Sequence, residues 1–303
     1  FPLIIDLIPF KIQTKKFRKN NSKKKTSKTI LITHYDDSFI YELKILGYLV
    51  QGLRMEGWEI KVLIKNRLNL LGILYYKCFG INNFIFFDHY DLNDQEKKFC
   101  AELSNKFLLE DLSLPNIKKW KFEDILIGPQ IFASLSRNTK KGFINFEDQK
   151  IIDQINIDTK YCIENILKAR KLFKANKTDF IISQEINNYY FGPIVDTAIN
   201  MNIEVISQTQ PWRDDGICLR KINKLNRREH PSSISKNSLK KIFKKKWTIK
   251  EEEILKKITQ DRYSGKWFLQ SRNQINTIDY DLHKLQEKYN LDKDKTIAVI
   301  FSQ

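Results

Sequence analysis

Three short polar stretches carry side chains whose types and spacing could do chemistry. The first, His34-Tyr35-Asp36-Asp37, sets an imidazole beside two carboxylates. Histidine is the side chain best suited to take a proton near neutral pH, and a carboxylate beside it fixes the tautomer. The expected chemistry is general-base removal of a proton from an acceptor hydroxyl by His34 assisted by Asp36, with Tyr35 and Asp37 contacting substrate. The competing expectation is that Asp36, Asp37 and Ser38 cap a helix while His34 fills a polar turn.

The second stretch, Gln184-Glu185-Ile186-Asn187-Asn188-Tyr189-Tyr190, mixes a carboxylate with amides and phenols. Such a mixture suits a sugar, whose hydroxyls need paired donors and acceptors and whose C–H face lies on an aromatic ring. Glu185 is the alternative base, with Gln184, Asn188 and Tyr189 as substrate contacts. Against this stands a purely structural role for Glu185, as an anion at a helix start or a hydrogen-bond acceptor. The third stretch, Arg227-Arg228-Glu229-His230-Pro231-Ser232-Ser233, offers Arg228 and His230 to a phosphate. It reads equally as a solvated loop whose serines cap the next helix.

These residues need a scaffold, and the hydrophobic pattern supplies one. Thr29-Ile30-Leu31-Ile32-Thr33 is a short apolar run of the kind buried on both faces of a parallel sheet. Phe39, Leu43, Leu46, Val50 and Leu53 then recur at helical spacing up to Gly57, and a second strand is predicted over Trp58 to Ile64. The alternation continues through Phe84-Ile85-Phe86-Phe87, a helix from Asn93 to Leu109, the apolar Ile125-Leu126-Ile127, and a long helix from Phe146 to Ala175. It then runs through Phe180-Ile181-Ile182-Ser183, a short helix near Pro193 to Met201, and Ile203 to Ser207. Strand alternating with helix predicts an α/β chain with a Rossmann-like, doubly wound parallel sheet. Ligands of such sheets sit beyond the carboxyl ends of the strands, where the first two polar stretches fall.

Around that domain the pattern is less regular. Residues 1–28 form a basic arm with no acid between Lys11 and Lys28, expected to be solvated or to rest on anionic lipid. Residues 29–208 are the Rossmann-like domain, and 209–293 are a helical extension with a basic stretch from Lys236 to Lys250. Lys295 to Phe301 repeats the buried-strand pattern, so residues 294–303 are expected to open a second Rossmann-like domain that the chain cuts short. The absence of an initiating Met points the same way.

The composition of the 303 residues is that of a folded protein, with 42% hydrophobic and 29% charged side chains. The net charge of +17 suits an anionic partner, although the abundance of Lys, Asn and Ile also follows from AT-rich coding. Cys78, Cys100, Cys162 and Cys218 are widely spaced without a C-x-x-C pair, which gives no zinc or redox motif and makes a reducing cytoplasm the expected compartment. No apolar run is long enough to cross a bilayer. Rossmann dinucleotide, P-loop, nucleophile-elbow and zincin motifs are absent, which disfavours those classes. A basic nucleic-acid-binding protein is a rival reading, with Trp212, Trp247 and Trp267 set among Lys and Arg but no known binding module.

The segment Ile181-Ile182-Ser183-Gln184-Glu185, followed by Tyr190-Phe191-Gly192-Pro193-Ile194-Val195-Asp196-Thr197-Ala198 and Ile203-Glu204-Val205-Ile206, resembles the N-terminal domain of capsular and other surface-polysaccharide biosynthesis proteins with the GT-B glycosyltransferase fold. The opening βαβ unit, Ile127-Gly128-Pro129, the Arg228-Glu229-His230-Pro231 turn and the Thr296 to Phe301 strand occur in the corresponding order. The resemblance implies transfer of a sugar or related phospho-group from a nucleotide sugar to a glycan or lipid-linked acceptor, in the cytoplasm and at the inner face of the membrane. The acceptor would lie on this domain and the donor on the next. It implies no cofactor beyond the donor substrate, no metal and no specific nucleic acid. The donor-binding residues would lie beyond Gln303, so this chain is expected to be inactive alone. A non-catalytic scaffold of a polysaccharide assembly complex is the other alternative.

Overall fold

The computed structural model describes residues 2–15, 26–34, 40–139, 144–209, 217–230, 233–263 and 282–292. Strands β1 (Thr29–Thr33), β2 (Glu59–Ile64), β3 (Phe84–Phe86), β6 (Phe180–Ser183), β7 (Glu204–Thr209) and β8 (Cys218–Ile222) make one sheet in the order β3-β2-β1-β6-β7-β8. The pairings from β3 through β7 are parallel, with Ile32 opposite both Val62 and Ile182. The expected α/β, doubly wound architecture is therefore present. Chain order reverses between β1 and β6, which makes their carboxyl ends the topological switch point of the sheet.

The period-two alternation of each strand divides its side chains between two cores. Ile30, Ile32, Ile60, Val62, Ile64 and Ile182 face one side, under helices α1 (Pro2–Gln13), α2 (Ile40–Met55) and α3 (Leu70–Cys78), which contribute Phe10, Leu43, Leu46, Val50 and Tyr75. Leu31, Leu63, Ile181 and Val205 face the other side, against Ala169, Leu172, Ile194, Val195 and Ala198 of the later helices. Gly57 follows α2 with φ 91°, a left-handed turn that lets the chain double back into β2.

Between β3 and β6 the chain builds a helical layer. It runs through a 3₁₀ turn (Phe87–Tyr90), α4 (Asp94–Leu108), the short α5 (Leu114–Ile117), β4 (Lys121–Phe122), β5 (Ile125–Leu126), α6 (Gly128–Thr139) and α7 (Gln149–Ala175). Asn93 and Glu96 close a capping box at the start of α4, and Asp148 caps α7 through the Lys150 amide. The inward stripe of α7 is Ile155, Thr159, Cys162, Ile166 and Phe173, all buried. Its outer face is not simply solvated, because Lys168 and Lys171 reach Asp91 and Glu96 across 2.7 Å each. The Lys168 ammonium, ahead of the Lys97 bond, holds the Asp91 carboxyl down at about 2.

Three expectations need correction. Ile125-Leu126-Ile127 does not enter the main sheet: β4 and β5 pair only with each other, antiparallel, around Glu123 at φ 50°. Two residues per strand are too few to cross the sheet, and Phe122, Ile125 and Ile127 are buried instead in a third core with Trp120, Ile131 and Ile163. The opening of the basic arm is helix α1, whose Leu7, Phe10 and Thr14 share a helical face and turn inward, while Asp6 pairs with Lys44 and accepts from Tyr75. Its apolar residues Leu7 and Phe10 thus cover the protein's own core. The stretch from 209 is not helical throughout, because it holds β8 at the edge of the main sheet, and residues 219–228 belong to the same compact unit as 1–208.

The second compact unit comprises residues 209–218 and 229–303. Its described helices are α8 (Lys236–Lys244), α9 (Ile249–Tyr263) and α10 (Leu282–Lys288), all within the stretch predicted as a helical extension. The strand predicted over Lys295 to Phe301 lies outside the described residues, as do Trp212 and Trp267. Among the described residues, no helix is long and apolar enough to cross a membrane.

Candidate functional site at the switch point

The carboxyl ends of β1 and β6 lie side by side at one edge of the sheet because the two strands are adjacent and parallel. Thr33, the last residue of β1, donates its hydroxyl to Ser183 Oγ at 2.8 Å, and Ser183 donates to the Glu185 carbonyl at 2.7 Å. Ser183 stands in register with Ser207 on β7. In-register residues of parallel strands project from one face, so Thr33, Ser183 and Ser207 form a row of hydroxyls across the carboxyl edge. All three are buried.

Each serine of the row is followed by a glutamine, in Ile182-Ser183-Gln184 and Ile206-Ser207-Gln208. Ser207 Oγ, Gln208 Oε1 and Gln184 Nε2 are buried without a hydrogen-bond partner among the described residues. Buried polar atoms are ordinarily paired, so two adjacent strand ends here present one amide donor, one amide acceptor and one hydroxyl that a ligand or water must satisfy. This repeat is visible in the sequence as a doubled I-S-Q string; that its two copies lie side by side is decided by strand order.

His34 continues the sheet edge, its amide donating to the Leu63 carbonyl at 2.9 Å. Its side chain is 5% exposed and meets the Tyr76 ring edge-on, with centroids 5.8 Å apart. The Tyr76 hydroxyl is buried without a partner among the described residues, and burial raises its pKa far above the ordinary phenol value. His34 is thus almost fully enclosed. Tyr35, Asp36 and Asp37 lie outside the described residues.

Glu185 anchors its own turn. Oε1 accepts from the amides of Ile186 (2.9 Å) and Asn187 (2.7 Å), and Oε2 accepts from Arg137 at 2.8 Å. A carboxylate offers about four lone-pair positions, so one on Oε2 stays open to a hydroxyl. The Glu185 side chain is 23% exposed, more accessible than His34. Asn188 Oδ1 accepts from the amides of Tyr190 and Phe191, which starts the helix Phe191–Asn200 and commits that carbonyl to a structural task. Tyr189 turns toward the helical layer, stacking on Tyr161 with centroids 6.0 Å apart. Tyr190 instead packs near the strand ends, its ring 5.9 Å from the Lys65 ammonium, and burial, with Asp88 adding, raises its hydroxyl pKa well above normal.

The turn is held from behind by Arg227, Asp196 and Gln130, none of them a predicted site residue. Arg227 Nε donates to Asp196 Oδ1 at 2.5 Å, its second nitrogen reaches the Ile186 carbonyl at 2.5 Å, and its third reaches Asn187 Oδ1 at 3.2 Å. Asp196 also accepts from Gln130, whose own oxygen accepts from the buried Cys162 thiol at 3.0 Å. Burial, with Asp196 adding, pushes that thiol well above its ordinary value and leaves it unreactive. Arg228 donates to the Leu126 carbonyl at 2.8 Å and to Asp196 at 3.3 Å. Burial lowers the pKa of its guanidinium, partly offset by Asp196. A cavity of about 600 Å³ beside Arg228 is bounded by Lys121, Asp124, Ile199 and Lys224, none of them from the turns after β1 or β6.

The predicted residues thus divide. His34, Gln184 and Glu185 belong to the strand-end turns; Asn188 and Tyr189 serve the turn and the helix layer; Arg228 lies with Asp196 and the β4–β5 hairpin. His230 is exposed at the start of the second compact unit, where its carbonyl accepts from the Ser233 amide. Among the described residues no group of three His, Cys, Asp or Glu side chains is arranged to hold a metal ion. No family model, curated protein or solved structure matches the chain.

Proposed function

We propose that the first compact unit is the acceptor-side half of a glycosyltransferase-like protein, acting on a glycan or lipid-linked acceptor with a nucleotide sugar as donor in surface-polysaccharide synthesis. One observation carries the reading: the buried hydrogen-bonding atoms of Gln184, Ser207 and Gln208, unpaired among the described residues, gather at the carboxyl ends of the adjacent strands β6 and β7, beside the switch point. A polyol supplies both donors and acceptors at short spacing, which suits one amide donor, one amide acceptor and one hydroxyl on neighbouring strand ends. The likeness of this segment to surface-polysaccharide proteins supports the same assignment.

In the transfer, an acceptor hydroxyl entering the crevice loses its proton to His34 or to the open position on Glu185 Oε2 as the oxygen attacks the anomeric carbon. The nucleotide diphosphate leaves as the new glycosidic bond forms. Ser207 and the two glutamines hold the acceptor's remaining hydroxyls.

The test is transfer of labelled sugar by the full-length protein carrying His34→Ala, Glu185→Gln or Gln208→Leu. Loss of turnover in either of the first two with donor binding retained, and a raised KM for acceptor in the third, support the roles. Unchanged turnover in both His34→Ala and Glu185→Gln removes them.

A further inference from the structure

Helix α8 of the second unit buries none of its nine residues. Ser235 caps it by accepting from the Ser238 amide at 3.1 Å. At 100° per residue, Leu239, Ile242 and Phe243 fall within one arc of about 100°, and Lys236, Lys240, Lys241 and Lys244 occupy a separate arc beside it. Ile242 is 53% exposed and Phe243 83%. The chain leaves the helix at Lys245 in extended conformation and presents Trp247, 64% exposed, followed by Ile249.

Charge follows the same segment. Residues 233–250 contain seven lysines and no acid. Lys245 pairs with Glu251 at 2.8 Å, and the Trp247 indole donates to Glu252 at 3.0 Å; the other six lysines have no ion-pair partner among the described residues. A helix this basic on one side and apolar on the other gains nothing from water on its apolar arc.

We infer that residues 235–250 dock on an anionic lipid bilayer, with Leu239, Ile242, Phe243 and Trp247 entering the headgroup and acyl boundary and the lysines meeting lipid phosphates. The two halves of the surface need both parts of that partner: an anionic plane for the lysines and an apolar phase for Phe243, with an aromatic indole at the boundary between them. A nucleic acid supplies the first without the second. Lysine stems reach outward along the apolar arc while their ammonium groups stay wet, so one orientation satisfies both. The inference does not depend on the transfer reading, since an inactive chain that binds anionic vesicles leaves it intact.

The experiment is co-sedimentation of the full chain with vesicles of phosphatidylcholine alone and of a two-to-one phosphatidylcholine and phosphatidylglycerol mixture. Binding is expected to the anionic vesicles only. Phe243→Ser is expected to weaken it about tenfold at every salt concentration, because a buried aromatic side chain is lost. Lys240→Glu with Lys241→Glu is expected to weaken it chiefly at low salt. Binding should blue-shift tryptophan emission, and Trp247→Phe should remove most of the shift. All three sites are exposed, so an unchanged circular dichroism melt confirms folding. Absence of binding to the anionic vesicles overturns the inference. So does binding indifferent to Phe243→Ser, which would mean simple charge adsorption, and so does binding to duplex DNA of equal strength that Phe243→Ser leaves unchanged.

Discussion

Thr33 and Ser183, 150 residues apart, share a buried hydrogen bond of 2.8 Å that joins the carboxyl ends of the two central strands. Because the Ser183 hydroxyl in turn donates to the Glu185 carbonyl, the contact orders the turn that carries Gln184 and Glu185. The latch stands where the sheet reverses direction, so the strand-end geometry and the shape of the candidate site depend on the same atoms.

Ser183→Ala leaves the Thr33 hydroxyl and the Glu185 carbonyl short of a partner, and is expected to cost about 1–3 kcal/mol. Urea denaturation measures it. The double variant with Thr33→Val should cost less than the sum of the two single changes, since both remove one bond.

Arg227→Met removes the main cation from a buried carboxylate and strips the Ile186 carbonyl of its donor. A loss of about 3–5 kcal/mol is expected in equilibrium unfolding. Arg227→Lys should not restore it, because a single ammonium cannot span Asp196, Ile186 and Asn187 together. Adding Asp196→Leu to Arg227→Met should recover part of the loss.

Asp158 lies buried in α7 with one oxygen bonded to Gln154 at 2.7 Å and the other unpaired among the described residues, and burial, opposed by the Gln154 bond, raises its carboxyl to about 6. A carboxyl whose folded value exceeds its unfolded value of about 4 stabilises the fold fully only below that lower value. The contribution is lost as pH rises from about 4 through about 6. Asp158→Asn should flatten this part of the stability profile and raise stability at pH 7 by about 1–3 kcal/mol. Thermal melts across that window decide it.

Gly128 begins α6 directly against the end of α5: a Cβ there would stand 1.6 Å from the Ile117 carbonyl oxygen. Backbone cannot retreat as a flexible side chain can, so Gly128→Ala is expected to destabilise by about 1–3 kcal/mol. Gly52→Ala, at a helical position with open space around it, is the control and should be neutral or slightly stabilising.

The amino-acid sequence by itself determined the local elements, because burial periodicity and capping are written in neighbouring residues. The all-buried β1, the Leu43-Leu46-Val50 face of α2, the Asn93 start of α4 and the long stripe of α7 follow from that information. Helix α3 escaped it, since Leu70–Cys78 is apolar on nearly every side and offers no contrast between faces. Tertiary structure alone decided which strand ends meet, that β5 leaves the main sheet and β8 joins it, and that Arg227 grips Asp196 across 31 residues. Contacts of this kind depend on the order in which strands pair, and strand order is set by the packing of the whole core rather than by spacing along the chain. The two I-S-Q strings show the division: each is plain in the sequence, but only the pairing of β6 with β7 brings their buried polar atoms to one sheet edge.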